Sequence, residues 1–296
     1  MKTIRIGSRE SKLAVIQSEL VMDAIRAAHP GLRLELVTMK TTGDRILDRT
    51  LDQIGGKGLF VKELDAALLD GRVDLTVHSC KDLPMDIDPR IPLAGFTARE
   101  DPRDVLVLPE GVSELDPARP IGCASPRRTA QLRALFPGMS IAPVRGNVLT
   151  RLRKLDEGQF AALVLAAAGL RRLGLEHRIS RYFTVEDLLP AAGQGILAVQ
   201  ARAGEDLSCL DGVLDADGTT CALAERAFVR ALDGGCSSPI AAHAAVEGDA
   251  ITIDGLYVDE AGRMSRGRLS GPRERGEALA RRLAELLKEG CLCPEK

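Results

Sequence analysis

The chain has 296 residues, which favours two or three compact domains over one small core. Its 40 basic and 42 acidic side chains give a formal charge of −2, and aromatic residues make up only 3%, with no tryptophan. Such a chain lacks the positive field and the stacking surfaces of a nucleic acid-binding protein. No run reaches the roughly 18 apolar residues of a membrane span, and the N-terminus has no apolar signal region, so we expect neither insertion nor export.

The seven cysteines stand at irregular spacings without a paired CxxC motif. That pattern argues against a disulfide framework and against a zinc ribbon. We therefore expect a cytoplasmic protein with no metal centre. Cys291 and Cys293 stand near the C-terminus, where a frayed tail is the simpler explanation, and they are assigned no role.

Strand-like apolar runs alternate with helical stretches over the first hundred residues, which is typical of a parallel or mixed sheet covered by helices. In the stretch 8–28, Leu13, Ile16 and Leu20 fall on one helical face, and Ser8 is the predicted N-cap. A glycine-rich turn at 55–58 precedes a second amphipathic helix, and it is either an anion site made by the free N–H groups of the helix start or an ordinary flexible loop. The predicted strands are 3–7, 34–39, 73–78 and 93–97.

A second unit of the same kind begins near Asp104, although no sequence repeat links the two units. A linker rich in Gly and Asp is predicted at 211–219. A helix at 220–232, three strand-like runs and a closing helix at 273–288 then suggest a small α+β domain. The predicted strands are 105–108, 121–124, 141–144 and 161–166 in the second unit, and 240–246, 251–258 and 263–269 in the third.

The segment VDLTVHSCKDLP places Lys81 and Asp82 just after an apolar strand. In α/β sheets, ligands bind at the carboxyl ends of strands. A carboxylate there can act as a general acid, a general base or an electrostatic stabiliser of a cation. Taken alone, however, the segment is better explained as a solvated turn with an incidental ion pair.

Arginines cluster at the predicted strand ends of the second unit. Ser125 is a natural N-cap and Pro126 a natural first helical residue, which places Arg127 and Arg128 in the first turn of a helix. Two cations near the positive end of a helix dipole cost stability unless an anion lies between them, so the pattern favours a ligand contact. Further arginines follow the next strands and predict a carboxylate or phosphate pocket: Arg145, Arg151, Arg171 and Arg172.

Cys236 follows two glycines at a helix end and precedes a strand, in ALDGGCSSPIA. Its thiol is therefore predicted to lie on a loop, where it can serve as a nucleophile or as an attachment point. The thiols of Cys123, Cys209 and Cys221 are instead predicted to be buried and inert.

Together these segments resemble the porphobilinogen deaminase family, also called hydroxymethylbilane synthases, in order over essentially the whole chain. The chain departs from the family at Gln200, where an acidic residue is usual, and at Cys80, where a larger apolar residue is commoner. The motifs that carry the resemblance are IGSRESKLA, KTTGDRILDRTLDQIGGKGLFVKELDAALLDG, HSCKDLP, EDPRDV, ASPRRTAQL, VRGNVLTRL, LAAAGLRRLGL, PAAGQGILAVQ and GGCSSPIA.

The resemblance implies an α/β fold with two lobes like those of periplasmic binding proteins, each with a mixed sheet. A small C-terminal α+β domain is present in addition. The first lobe would comprise 1–97 with 196–214, the second 98–195, and the third domain 215–296. The active site would lie between the lobes, under a mobile loop at 40–58. The family also implies a monomer.

The resemblance further implies a transferase that condenses four porphobilinogen molecules head to tail, with loss of ammonia, and then hydrolyses off linear hydroxymethylbilane. The growing chain would start on a dipyrromethane cofactor, which the enzyme assembles itself and holds in thioether linkage on Cys236. Loss of ammonia leaves an azafulvenium cation that a carboxylate can stabilise, and Asp82 matches the family's catalytic aspartate.

The acetate and propionate groups of every pyrrole explain why the family needs arginines. By motif position, the residues that resemble the family's cofactor contacts are Lys81, Ser125, Arg127 and Arg128. Those that resemble its substrate contacts are Arg9, Ser11, Arg145, Arg151 and Arg172.

Two other interpretations share part of the pattern. A non-catalytic two-lobed binding protein would use the arginines but would need neither Asp82 nor Cys236. A cysteine hydrolase would need a histidine partner for its thiol, and His243 is the only histidine near Cys236 in sequence.

Overall fold

The computed structural model describes residues 3–41, 43, 61–235 and 238–290 of the chain. Its backbone divides into two compact units, which are Met1–Arg99 with Ile196–Thr219 and Glu100–Gly195 with Thr220–Lys296. Each unit therefore contains two separate stretches of the sequence. Among the described residues, no helix has both the length and the apolar character needed to cross a bilayer.

Helices and strands alternate through most of the described chain. The helices are α1 (Lys12–Ala28), α2 (Lys62–Leu69), α3 (Pro126–Leu135), α4 (Val148–Asp156), α5 (Ala167–Arg172), α6 (Ala216–Ala231) and α7 (Gly276–Lys288). The strands are β1 (Thr3–Arg9), β2 (Arg33–Met39), β3 (Leu75–Ser79), β4 (Leu93–Phe96), β5 (Asp104–Val107), β6 (Ile121–Gly122), β7 (Ile141–Ala142), β8 (Ala162–Ala166), β9 (Arg181–Tyr182), β10 (Leu197–Ala201), β11 (Ile240–Glu247), β12 (Ala250–Val258) and β13 (Met264–Pro272).

The first unit is built on a five-stranded mixed sheet with the order β2-β1-β3-β10-β4. Strand β1 runs parallel to β2 and β3, whereas β10 runs antiparallel to β3 and β4. Helix α1 contributes Val21 and Ile25 to one apolar cluster of this unit, and α2 contributes Ala67 and Leu68 to another. The sheet thus has buried apolar side chains on both of its faces.

The second unit contains a five-stranded sheet with the order β7-β6-β8-β5-β9. Strand β6 is parallel to β7 and β8, and β5 is antiparallel to β8 and β9. Along β5, Val105 and Val107 enter one apolar cluster while Leu106 enters another, as the two-residue period of a strand requires. Strand for strand, the order and directions match those of the first sheet, with β5 in the place of β10.

The C-terminal part of the second unit is an antiparallel sheet of β11, β12 and β13 packed against α6 and α7. A Cβ on Gly255, in the middle of β12, would lie 2.5 Å from the ring of Phe228 and 3.0 Å from Leu283. The missing side chain therefore lets both helices approach the sheet closely.

The predicted fold class is confirmed, since two α/β units with mixed sheets and a small α+β part are present. The predicted N-cap Ser8 is wrong, because Ser8 lies buried in β1 and Ser11 caps α1 instead. The predicted linker at 211–219 is wrong in its second half, where the Asp215 carboxylate accepts the Gly218 N–H at 2.5 Å and α6 begins. The three domain boundaries stay a prediction.

Candidate active site

Lys81 and Asp82 lie in one 3-10 turn, Cys80–Asp82, directly after the central strand β3. The side chain of Asp82 is exposed, and no described residue pairs with its carboxylate or donates a hydrogen bond to it. The turn therefore presents a free carboxylate at the carboxyl end of a buried strand, which is where α/β sheets bind ligands.

The residues before this turn are held in place from within the first unit. His78 is buried, with Nε2 2.9 Å from the hydroxyl oxygen of Thr76. Burial, assisted by the positive charge of Arg9, lowers the pKa of His78 to about 4, so its imidazole is neutral near pH 7. The hydroxyl of Ser79 accepts a hydrogen bond from the buried amide of Gln17 at 3.0 Å.

Arg9 is the last residue of β1 and Ser11 follows the strand, which is parallel to its neighbour β3. Ser11 caps α1 by accepting the Ala14 N–H at 3.4 Å. Because parallel strands end at the same edge of a sheet, the first unit places Arg9, Ser11, Lys81 and Asp82 along one edge.

Helix α3 begins as the sequence predicts. Ser125 is its N-cap, with the hydroxyl oxygen accepting the Arg128 N–H at 3.5 Å, and Pro126 is its first residue. Arg127 and Arg128 therefore lie in the first turn, directly after β6, and both are buried.

The anion that these two cations require is supplied within the fold by Asp104. Its carboxylate is fully buried and accepts Nη1 of Arg127 at 2.7 Å and Nη2 of Arg128 at 2.6 Å. Burial alone would raise the pKa of Asp104, but the two guanidinium groups outweigh it and hold the pKa well below its ordinary value. One carboxylate against two guanidinium groups leaves this cluster with one net positive charge.

Two further groups form hydrogen bonds with this cluster, the side chain of Gln194 and the carbonyl of Leu189. The Nε2 atom of Gln194 donates to Asp104 at 2.8 Å, and its Oε1 atom accepts Nη2 of Arg128 at 3.5 Å. Nη1 of Arg127 also donates to the carbonyl of Leu189 at 2.6 Å. The charges of Arg127 and Arg128 do not by themselves require a ligand, because Asp104 already supplies an anion between them. Their proposed cofactor role therefore rests on motif resemblance.

Asp104 and Gln194 were missed by reasoning from the sequence. Asp104 stands at the head of the apolar run DVLVL, where a carboxylate can be buried only if cations accompany it. That signal was available, but it could not indicate which of the many arginines are the partners.

The remaining predicted arginines also follow strands of the second sheet. Arg145 follows β7, and its Nε atom is buried without a hydrogen-bond partner among the described residues. Arg151 lies in the first turns of α4, where Nε donates to the carbonyl of Gly146 at 2.8 Å. Arg172 ends α5, and Nη2 donates to the carbonyl of Gly195 at 2.6 Å.

The predicted site residues thus form two sets. One set of four lies at the carboxyl edge of the first sheet, and a set of six, one serine and five arginines, follows the parallel strands of the second sheet. Cys236 and most of the predicted loop at 40–58 lie outside the described residues. Within the part that is described, no group of three or more His, Cys, Asp or Glu side chains could hold a metal ion.

Comparison with known proteins places both parts of the chain in one family. Residues 4–209 match the family model "Porphobilinogen deaminase, dipyromethane cofactor binding domain", and residues 219–289 match "Porphobilinogen deaminase, C-terminal domain". The porphobilinogen deaminase of Acetivibrio thermocellus is 57% identical over 286 residues, covering 96% of this chain and 98% of its own. That of Chromobacterium violaceum is 47% identical over 292 residues, covering 97% and 94%.

Among the solved structures that match is a more distant one. The periplasmic VFT2 domain of BvgS from Bordetella pertussis is 15% identical with a TM-score of 0.39, covering 71% of this chain and 84% of its own. A likeness of that size bears on neither fold nor function here.

Proposed function

The chain belongs to the porphobilinogen deaminase family, and from that premise we propose how its two sets of site residues divide the work. As a hydroxymethylbilane synthase, it condenses four porphobilinogen molecules head to tail with loss of ammonia and releases linear hydroxymethylbilane by hydrolysis. The condensation starts on a dipyrromethane cofactor, which supplies the acceptor pyrrole.

Asp82 is the catalytic group in this proposal. Departure of ammonia from the aminomethyl group of porphobilinogen leaves a cation delocalised over the pyrrole ring and its N–H. A carboxylate beside that N–H stabilises the developing positive charge more than it stabilises the neutral substrate, which lowers the barrier. The supporting observation is that Asp82 is exposed at a strand end and paired with no described residue.

The arginines bind carboxylates in this proposal. Each pyrrole carries an acetate and a propionate, so a growing chain accumulates negative charge that guanidinium groups can neutralise with paired hydrogen bonds. The unpartnered Nε donor of Arg145 fits such an acceptor. We assign substrate contacts to Arg9, Ser11, Arg145, Arg151 and Arg172.

We assign the thioether attachment of the cofactor to Cys236 by its position in the family motif GGCSSPIA, and the burial of the four described cysteines supports this choice. Cys80, Cys123, Cys209 and Cys221 are all buried. Burial raises the pKa of the Cys209 thiol, which keeps it protonated. The cluster around Arg127 and Arg128 has one net positive charge, which suits a cofactor that carries carboxylates, and we assign the cofactor contacts to Lys81, Ser125, Arg127 and Arg128.

Intact mass spectrometry tests the attachment. Wild-type protein should carry the added mass of two linked pyrroles, and Cys236→Ser should lack it because no thiol remains to form the bond. Cys209→Ser is the matched control and should keep the added mass. An unmodified wild-type chain that still binds pyrrole carboxylates would favour the non-catalytic binding protein instead.

Ammonia release from porphobilinogen tests the role of Asp82. Asp82→Asn should lower turnover by roughly 10²- to 10³-fold, because the amide cannot offset a full positive charge. Its fold should be unchanged, since the side chain is exposed. Asp70→Asn, which changes an exposed carboxylate at the end of α2, is the control and should turn over normally. Near-normal turnover by Asp82→Asn would remove the assignment.

We also propose that the protein is a monomer in the cytoplasm. The seven cysteines stand at irregular spacings without a paired CxxC motif, which supports a reducing compartment. Cell fractionation should recover the protein with cytoplasmic markers, and recovery in an oxidising compartment would contradict the localisation.

A further inference from the structure

Residues 184–194, here called the connecting segment, contact the C-terminal part of the second unit. Nη2 of Arg266 donates to the carbonyl of Val185 at 3.0 Å, and Nη1 donates to the carbonyl of Glu186. The side chain of Leu189 packs against Ala241 and Leu256 of the C-terminal sheet. The connecting segment is therefore fixed to β11, β12 and β13 by both polar and apolar contacts.

The same segment also holds the arginines proposed to bind the cofactor. The carbonyl of Leu189 accepts Nη1 of Arg127 at 2.6 Å, and the side chain of Gln194 bridges Asp104 and Arg128. A displacement of the connecting segment would therefore move acceptors of both guanidinium groups.

A single buried carboxylate joins the two sets of contacts. Glu225 of α6 is fully buried; its Oε2 atom accepts the N–H of Gly193 at 2.5 Å, and its Oε1 atom accepts the N–H of Ala244 at 2.6 Å. Gly193 belongs to the connecting segment, and Ala244 belongs to β11. Glu225 thereby links three separate stretches of backbone.

The two elements that Glu225 joins to the connecting segment, α6 and β11, lie on either side of Cys236 in the sequence. Helix α6 comes directly before the loop that carries Cys236, and β11 comes directly after it. At the described ends of that loop, the Gly235 N–H donates to the Ser238 hydroxyl at 3.0 Å and the Ser238 N–H donates to the Gly235 carbonyl at 3.0 Å. Glu225 thus ties both flanks of the attachment loop to the segment that holds Arg127 and Arg128.

We infer that Glu225 is a positioning residue, which holds the connecting segment against β11 and so keeps the acceptors of Arg127 and Arg128 in the place where these arginines bind the cofactor. The inference rests on the proposed function, because this placement affects turnover only if Arg127 and Arg128 bind the carboxylates of the cofactor. A reacting group displaced by about 1 Å can lose about 100-fold in rate. Glu225 would therefore affect turnover without touching substrate or cofactor.

Glu225→Gln tests the inference. The glutamine has the same shape but only one acceptor atom, so its NH₂ group would face the N–H of Gly193 or Ala244 and break one of the two bonds. Turnover is measured per cofactor-bearing molecule, with the cofactor-bearing fraction taken from intact mass. We expect this turnover to fall about 10- to 100-fold with KM changed less than about threefold. A merely structural defect would lower the folded or loaded fraction and leave the turnover of the remaining loaded molecules unchanged.

Glu277→Gln is the matched control, since Glu277 is an exposed carboxylate of α7 whose partner Arg281 is also exposed. Equal turnover per loaded molecule in Glu225→Gln and Glu277→Gln would overturn the inference.

If Glu225→Gln does not fold, Arg266→Met is the second test. This change removes the hydrogen bonds to the carbonyls of Val185 and Glu186 at the other end of the connecting segment. The Arg266 side chain is partly exposed, so the protein should still fold. A loss of turnover per loaded molecule in Arg266→Met, by about threefold or more, supports the inference, and turnover equal to that of Glu277→Gln overturns it. Failure of the proposed function itself would look different, because wild type and Glu277→Gln would then also lack the cofactor mass or the turnover.

Discussion

At the scale of single residues, Asp104 shows how one side chain can decide whether others are available to a ligand. Its carboxylate is shared between Arg127 and Arg128, and all three side chains are buried. The arrangement keeps two guanidinium groups together in the first turn of a helix, where their charges are otherwise unfavourable. The same carboxylate fixes their orientation towards Gln194 and Leu189.

Asp104→Asn should destabilise the protein strongly. The amide cannot neutralise two buried guanidinium groups, and removing one partner of a buried ion pair typically costs about 3 to 5 kcal/mol. Urea denaturation measures the change. Asp116→Asn removes the carboxylate from an exposed pair with Arg119 and should cost at most about 1 kcal/mol. Similar losses in the two variants would contradict the role of Asp104.

His78 should make stability fall in mild acid. Burial lowers the pKa of its imidazole from 6.5 to about 4. Between those values the unfolded chain binds a proton that the folded chain does not, so the free energy of unfolding decreases as the pH falls from about 6.5 to about 4. The total loss from this group is on the order of 3 kcal/mol.

Unfolding measured by urea at several pH values checks this dependence. His78→Gln should flatten the decrease between pH 6.5 and pH 4, because no imidazole remains to be protonated in the unfolded state alone. His177→Gln, which changes an exposed histidine, should keep the wild-type slope. An unchanged slope in His78→Gln would mean that other groups cause the acid sensitivity.

At the scale of elements, the start of α3 depends on a close approach in the strand before it. Gly122 ends β6, next to β8, and a Cβ there would lie 2.5 Å from a methyl group of Leu163 and 2.9 Å from the ring of Phe160. The segment from Gly122 to Ser125 therefore takes its path because a side chain is missing at one position.

Gly122→Ala should destabilise the second unit by about 1 to 3 kcal/mol, because overpacking forces Leu163 or Phe160 out of place. Thermal unfolding measures the loss, and intact mass shows whether the cofactor is still attached. Gly138→Ala is the control, since an added Cβ there meets nothing within 4 Å. Its stability should change by no more than about 0.5 kcal/mol. Equal unfolding temperatures for the two variants would show that the strand accommodates the methyl group.

At the scale of the whole molecule, the two five-stranded sheets have the same strand order although their sequences show no repeat. The strand in the fourth place of each sheet, β5 or β10, follows a stretch of the chain that belongs to the other unit. The chain therefore crosses between the units twice to build the two sheets. Antiparallel strands in the fourth place make both sheets mixed. The parallel strands remain together, and the proposed site residues that the structure describes follow or end these strands.

The proposed monomer is a prediction at this scale. Light scattering after size exclusion should give a mass close to the 31.7 kDa of the chain, plus the attached cofactor. The mass should not change with protein concentration in the micromolar range. A mass near twice this value would show that copies of the chain associate.

Sequence alone determined the alternation of elements, since amphipathic period and strand-like runs are local properties. It correctly predicted the cap of α3 by Ser125 and the strand before Asp82. The sequence also indicated the family, because nine motifs that resemble those of the family occur in order along the chain.

Tertiary structure decided what depends on distant partners. Strand β10 was not predicted, because a short and mostly apolar run does not reveal that it will insert between β3 and β4. Nor could the sequence pair Asp104 with Arg127 and Arg128, more than 20 positions away, or Glu225 with Gly193, 32 positions away. Charges and hydrogen-bond donors select their partners by distance in space, and only the folded chain sets that distance.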